Sequence, residues 1–502
     1  MNPKHIRISK SRYTLYRQCS KALWLMTYKL EKAVINDALQ QRFRSGNAVG
    51  EFARSLFGNY VDMTIQDERG RLDTNKMVVN TRKCIDSGVE VICEASFTHD
   101  GSYCAVDILK KGTDGYAIYE VKSSTDADKD VYAQDVAYQK YILTNSGVHV
   151  TGTYLVCIDS NYVLNGELDI HALFQIQDIG ETVAQEYAIV ESQIATAKKM
   201  LALSAVEPDV DLDVHCHKPY DCAFWEYCSR HLPKQSVFNL YRLNFGRKIA
   251  YYQNGITTYD QLQNEQLNDK LRMQVECGIN DTMYIDKVQI ARFLRMLSYP
   301  LYFLDFETIQ LVVPEFQGTH PYQQIPFQYS LHYIEKENGE LKYKEFLGVS
   351  GDDPRRSLAE QLCNDIPMDV CVTAYNKAFE CTRLKELAYA FPDLAMHLLN
   401  IRDHIIDLLI PFQSGWYYVP AMGGSFSIKS VLPALFPDNP KMDYHNLSGI
   451  VHNGSEAMII FSQIKEMSPK EQKTAKLSLL KYCELDTFAM VKIWQKLVEV
   501  SK

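Results

Sequence analysis

Two stretches of the chain, residues 89–124 and 299–349, consist of short runs rich in β-branched and aromatic residues divided by turn signals. Each is followed by helix and strand patterns in alternation, which calls for two separate sheets, each covered by its own helices. In the first stretch VEVICEASF, SYCAVDILKK and YAIYEVKSS are divided by HDG and GTDG and read as hairpin-linked strands. Before them, SRYTLYRQCSKALWLM and QRFRSGNAVGEFARSLF space their apolar residues as helices. After them come a helix over 128–143, a strand at TGTYLVCID and a long helix over 181–203. The second stretch gives a strand at YPLYFLDFETI, then two more joined at an ENGE turn within IPFQYSLHYIEKENGELKYKEFLGV. A helix near 355–365, a strand at VCVTAY and helices from 379 onward follow. Residues 233–298 are polar and helical, and read as a connector between an α/β domain over 1–232 and another over 299–502.

With 502 residues the chain can bury more than one core, and 46% hydrophobic with 23% charged residues is the balance of a globular protein. No run approaches about 18 apolar residues, and the first twenty residues carry charges where a leader has its apolar core. A cytoplasmic protein without a membrane partner is therefore expected. In a reducing compartment thirteen cysteines are free for metal binding or packing rather than disulfides. The net charge of −9 argues against nucleic acid, but residues 1–60 hold eleven Lys/Arg against Glu31, Asp37 and Glu51. Either a basic surface or a solvated helix face accounts for that local +8.

Asp107 lies on the strand CAVDIL, and Glu120 and Lys122 follow on YEVK, two residues apart and so on one face. Two carboxylates with a lysine suit phosphodiester hydrolysis: the acids hold magnesium or manganese, and the ammonium orients the nucleophile. An edge-strand ion pair would use the same residues. In this order they resemble the PD-(D/E)xK nuclease core, in its RecB-like branch that includes CRISPR adaptation nucleases. The resemblance implies a restriction-endonuclease-like domain with a metal-binding His after a glycine in the preceding helices. This chain has Glu51 after Gly50 there, which makes Glu51 the substitute metal ligand. It also implies a glutamine on the helix after the lysine strand, either Gln134 with Tyr138 or the deeper Gln139, of which Gln139 is preferred as part of the catalytic set. Glu94 is a further carboxylate facing either this site or solvent.

Cys216, Cys222 and Cys228 form C-x5-C-x5-C in CHKPYDCAFWEYC, and Cys19 sits in SKSRYTLYRQCSKALW. Four thiolates can hold zinc or an iron-sulfur cluster, and spacing does not separate the two. The segment Ser9, Ser11, Cys19 before the sheet with the triplet behind it resembles RecB-like nucleases stapled by a 4Fe-4S cluster, whose last cysteines run C-x2-C-x5-C. The resemblance implies that Cys19, Cys216, Cys222 and Cys228 bind the cluster, with zinc as the alternative because His215 and His217 flank Cys216.

In the second stretch Asp305 and Glu307 share a strand face, Tyr482 and Asp486 share a helix face in KYCELDTFAM, and AYNKAFE supplies Asn376 and Glu380. Acids gathered from distant segments meet the needs of two-metal phosphoryl hydrolysis. Over residues 299–495 this order resembles the DnaQ-like exonucleases of the Y-x3-D subclass on a ribonuclease-H-like sheet. The resemblance implies that Asp305, Glu307, Glu380 and Asp486 hold metal and that Tyr482 positions water. The second motif departs from N-x3-F-D, being N-x2-F-E, which leaves Asp407 as a rival to Glu380 and Lys429 as a candidate for the substrate backbone.

Together PYDCAFWEYC, FLDFET and YCELDTFAM resemble a bacterial family that fuses the two modules. The two site types imply a metal-dependent nuclease acting on DNA, single-stranded ends above all. The alternatives are an RNA-processing exonuclease, or a nucleic-acid-binding scaffold in which one or both sites are inactive. GITTYDQL in the connector reads as an ordinary helix start, with some likeness to a DNA-backbone-binding helical hairpin.

Overall fold

A computed structural model of the protein describes residues 6–34, 49–125, 128–203, 205–447 and 449–502. The fold is mixed α/β, and the chain divides into two compact units, Met1–His231 with Val312–Tyr322, and Leu232–Leu311 with Gln323–Lys502. The segment 233–298 thus belongs to the second unit. Among the described residues no helix is long and apolar enough to cross a membrane.

The first unit opens with β1 (Ile8–Ser9), α1 (Lys10–Gln18) and α2 (Ser20–Tyr28). Sequence spacing suggests one continuous helix over this segment, but Cys19 is extended, at φ −159° and ψ 118°, and starts a second helix as its N-cap. Of the helix expected over 41–57, the described part runs helically from Val49 to Phe57, and 41–48 lies outside the described residues. Then follow β2 (Val61–Asp62), α3 (Thr74–Asp86), β3 (Val91–His99), β4 (Ser102–Lys111), β5 (Tyr116–Lys122), α4 (Lys129–Asn145), β6 (Val150–Ile158), β7 (Phe174–Asp178) and α5 (Gly180–Ala202). The sheet order is β2-β3-β4-β5-β6-β7, with β1 beside β4. β3, β4 and β5 form an antiparallel meander, and β6 pairs parallel to β5 after the α4 crossover. The Asp128 side chain starts α4 by accepting from the amides of Asp130 and Val131. One sheet face packs Ile92, Ala95, Val106, Ile118 and Leu155 against helices α1, α2, α4 and α5. The other face buries Val91, Cys93, Ile108 and Val156 under Val49, Ala53, Leu56 and Val313.

In the second unit α6 (Phe245–Gln253), α7 (Asp269–Asn280), β8 (Tyr284–Ile285) and α8 (Lys287–Leu294) precede the main sheet. GITTYDQL forms an ordinary helix start, with Thr258 and Gln261 making a reciprocal capping box. The sheet contains β9 (Leu301–Gln310), β10 (Gln324–Ile334), β11 (Leu341–Leu347), β12 (Cys371–Ala374) and β13 (Ile405–Asp407), in the order β11-β10-β9-β12-β13. The first three strands are antiparallel, and β12 and β13 run parallel to β9. Helices α9 (Arg355–Asp365), α10 (Ala378–Ala390) and α11 (Ala395–Asp403) cover the face formed by Tyr302, Leu304 and Phe306. Later come the two-residue strand β14 (Tyr417–Tyr418), paired with β8, then α12 (Ile428–Leu435), α13 (Gly454–Gln463) and the 33-residue α14 (Pro469–Ser501). α14 crosses the opposite face: Trp494 meets Phe303, Gln328 donates to the Leu479 carbonyl, and His332 bonds Thr487.

Candidate functional sites

Strand alternation places Asp305 and Glu307 on the β9 face covered by α14. They lie past the end of β12, whose pairing with β9 stops at Phe303. Beyond this end the chain turns at Asn376, with φ at 68°, into α10 and delivers Glu380. Crevices at the carboxyl ends of parallel strands are where open α/β sheets hold ligands. From α14 come Tyr482, Cys483 and Asp486, all buried. Asp486 accepts from the Tyr444 hydroxyl at 2.6 Å, and the Lys429 ammonium lies 5.3 Å from the ring centres of both Tyr444 and Tyr482. Lys429 is therefore a cation inside this constellation.

Burial raises all four carboxylates, and neighbouring acids add to the shift at Asp305, Glu307 and Glu380. Burial and the charges of Asp486, Glu307 and Glu380 push Asp305 well above its usual range. Burial and Asp486 raise Glu307 to about 8, burial and Asp407 raise Glu380 to about 8, and burial raises Asp486 to about 6 against the Tyr444 hydrogen bond. Glu380 is 2% exposed and its Oε2 has no hydrogen-bond partner. Asp407 is already engaged, accepting from the amides of Asn376 and Leu409 at 2.9 Å each. Among the described residues, one set of three potential ligand atoms lies within 4.8 Å of one another, from Asp305, Glu307 and Cys483. Tyr482 and Tyr444 are raised by burial and by Asp486, so both hydroxyls stay protonated. Tyr444 and Cys483 are not among the site residues that the sequence suggests: Tyr444 lies outside the main helices and strands, and a lone cysteine on a helix is by default a packing residue. The i, i+3 spacing of Cys483 and Asp486 was the available signal.

In the first unit Glu120, 1% exposed, accepts from Lys10 Nζ at 2.6 Å, Lys122 Nζ at 2.8 Å and Gln139 Nε2 at 2.7 Å. Lys122 also pairs with Asp135 at 2.5 Å. Asp107 accepts from the Val121 amide at 2.7 Å. The structure thus brings Asp107, Glu120, Lys122 and Gln139 together. Tyr138 instead bonds the Ile8 carbonyl at 2.7 Å and stacks on Tyr13, fixing the N-terminal segment. Burial opposes the charge of Glu120, but Lys10 and Lys122 outweigh it and hold its carboxyl down at about 2. Burial and Glu120 raise Asp107 to about 7. Glu94 has φ 53°, contacts Arg54 at 3.4 Å, and adds its charge to those acting on Asp107. Here the two strands change face together: Val91 and Cys93 point one way and Ala95 and Phe97 the other, as do Ile108 against Cys104 and Val106 on β4. Glu51 is exposed in its helical turn, and none of the hydrogen bonds just described involves it.

Lys10, counted only in the basic run, and Asp135 are not among the site residues that the sequence suggests. A lysine opening a helix opposes the helix dipole, which was the one local hint that Lys10 serves something else. Five of the eight described basic residues of the run over 1–60 form internal ion pairs. Lys10, Arg17, Lys21, Lys29 and Arg54 are paired with Glu120, Glu186, Glu207 and Asp62, and Lys4, Asp37, Arg42 and Arg44 lie outside the described residues.

Cys19, Cys216, Cys222 and Cys228 line one pocket with Ala22, Leu212 and Phe224. Burial pushes Cys216 up to about 11 and Cys222 up to about 12, with the neighbouring thiols adding to both. Burial raises Cys19, offset in part by the amides of Ala22 and Lys21 where α2 begins. The break at Cys19 therefore aims its sulfur at the triplet. His215 also lines the pocket, with a buried, unpartnered Nε2, whereas His217 is held by Asp221 at 2.5 Å.

Against known proteins, residues 302–427 match a family described as a domain of unknown function (DUF2779). A stretch of 250 residues is 24% identical to the uncharacterized protein UU173 of Ureaplasma parvum serovar 3, covering 44% of this chain and 35% of that protein. The chain therefore spans about a third of that relative's length. No solved structure matches. The family match begins on β9 and takes in Asp305, Glu307, Glu380 and Asp407, so it covers the strand carboxylates of the second site and stops short of Tyr482 and Asp486.

Proposed function

We propose that the protein is a metal-dependent nuclease whose principal hydrolytic centre is the Asp305, Glu307, Glu380, Asp486 cluster. One observation carries this: four carboxylates from distant segments are buried together, neighbouring acids add to the burial that raises Asp305, Glu307 and Glu380, and one buried oxygen of Glu380 has no partner. Repulsion of that kind is relieved by divalent cations bound to oxygen ligands. The acids would hold magnesium or manganese, which supply Lewis-acid activation of water and charge stabilisation at phosphate. Tyr482, kept protonated, donates to and positions a water, and Lys429 provides a fixed positive charge for the phosphate. The β11-β10-β9-β12-β13 order, with three antiparallel strands followed by two parallel ones, supports a ribonuclease-H-like, DnaQ-like reading of this unit.

For the first unit, the meander followed by a parallel strand, with Asp107, Glu120 and Lys122 at its centre, supports a PD-(D/E)xK reading. A second reading, that this site binds without cutting, is favoured by one observation: Lys10 and Lys122 already neutralise Glu120. The four-cysteine pocket supports a four-thiolate centre, a 4Fe-4S cluster with zinc as the alternative.

End-labelled single-stranded DNA, with a matched RNA strand in parallel, incubated with magnesium or manganese tests the proposal. Asp305→Ala should remove most of the digestion, and Lys122→Ala a distinct remainder if the first site also cuts. Digestion unchanged by Asp305→Ala would overturn it.

A further inference from the structure

Cys483 stands in the second site without a role in oxygen-ligand chemistry. It follows Tyr482 on α14, is fully buried, and its Sγ lies 3.9 Å from Asp305 Oδ2. Its sulfur and one oxygen each from Asp305 and Glu307 fall within 4.8 Å of one another, so a slight closing of these side chains lets one cation sit at about 2.0–2.3 Å from each. Independently, Glu380 Oε2 is buried without a partner beside the same acids, so the site holds ligand capacity that the protein's own donors leave unused.

We propose that Cys483, Asp305 and Glu307 form a mixed thiolate-carboxylate centre that takes a thiophilic divalent cation, zinc or cadmium, in competition with magnesium or manganese. The inference rests on reading this cluster as a divalent-cation site. Oxygen-only ligand sets suit hard cations, and one sulfur shifts preference toward softer ones. On coordination the Cys483 S–H bond breaks, its proton passes to solvent, and a metal–sulfur bond forms with no change of oxidation state. A cation held this way ties Asp305 to the sulfur side and withdraws it from the hard-metal set. Zinc or cadmium therefore suppresses magnesium-supported cleavage.

The test is cadmium binding to the full chain, followed by equilibrium dialysis and by the ultraviolet charge-transfer absorption of cadmium–thiolate bonds. Wild type is compared with Cys483→Ser, Cys483→Val and Asp305→Asn. All four proteins keep Cys19, Cys216, Cys222 and Cys228, so that pocket cancels in the difference spectra. We expect a wild-type-minus-Cys483→Ser absorption band and cadmium affinity about tenfold or more weaker in the variant. Asp305→Asn, which leaves the thiol in place, should also weaken the band and serves the comparison if the cysteine variants fail to fold. Identical bands and affinities in all four proteins overturn the proposal. If no strand is cut with any metal, the nuclease reading falls while the cadmium difference still decides the thiol; if manganese supports cutting and the difference vanishes, the thiol inference falls alone.

Discussion

At Glu120 two ammonium groups and an amide converge on one buried carboxylate, so its charge depends on partners from two other segments. Removing one partner of a buried ion pair costs about 3–5 kcal/mol because the survivor stays desolvated. Lys10→Met should therefore destabilise the first unit by about 3 kcal/mol, read by denaturant unfolding, and more than Lys10→Arg. The second site has the opposite electrostatics. Glu307 and Glu380 titrate near 8 and Asp486 near 6 when folded, all raised by burial. Between the usual carboxylate range and those values the folded state binds more protons than the unfolded one, so stability falls as pH rises from about 4 to about 8. The metal-free protein should thus have a lower thermal midpoint at pH 8 than at pH 5. Magnesium should reverse that slope, since cation binding displaces the same protons. A midpoint that rises with pH without metal would contradict these environments.

Among elements, the strands were legible because their chemistry is local: β4 spans the same Ser102–Lys111 that the turn signals bracket. Two departures were not legible, and both have tertiary causes. The helix break at Cys19 follows from its packing into the pocket with Cys216, Cys222 and Cys228, which overrides a helical pattern on both sides. The change of face at Glu94 and Asp107 depends on a left-handed residue inside β3 that no side-chain periodicity encodes. A non-glycine residue in that region is strained by about 1–2 kcal/mol. Glu94→Gly should accordingly be more stable than Glu94→Ala by about 1 kcal/mol, a gap that equilibrium unfolding of the two variants would reveal. An equal or reversed order would mean the strand relaxes once the carboxylate is gone.

For the whole molecule, the two candidate sites lie in units with separate cores, one around Ile118 and Leu155 and one around Leu304 and Val372. Calorimetry should resolve two transitions. Magnesium should raise one of them, and Cys222→Ser should lower the other together with any brown colour. A single transition moved by both treatments would rule out independent units. Asp305, Glu307, Tyr482 and Asp486 could be picked out because each sits on a regular element whose period fixes its direction. Lys10, Asp135 and Tyr444 could not, because sequence distance hides a partner that a turn or a helix start delivers.

The first unit also ties its beginning to its end. β1 lies beside β4, Gln18 donates to the carbonyls of His215 and Tyr220 at 2.8 and 2.7 Å, and the Val34 amide reaches the Ala223 carbonyl. During synthesis at about 5–20 residues per second, the roughly 200 residues between Cys19 and Cys216 take about 10–40 s to emerge. For that interval Cys19 has none of its partner thiols, although Lys10 and β1 can already meet Glu120, Tyr138 and β4 once residues up to Gln139 have emerged. Whatever assembles in the cysteine pocket can do so only after the ribosome has passed Cys228, so Cys19 waits longer for its neighbours than any other part of the opening segment described above.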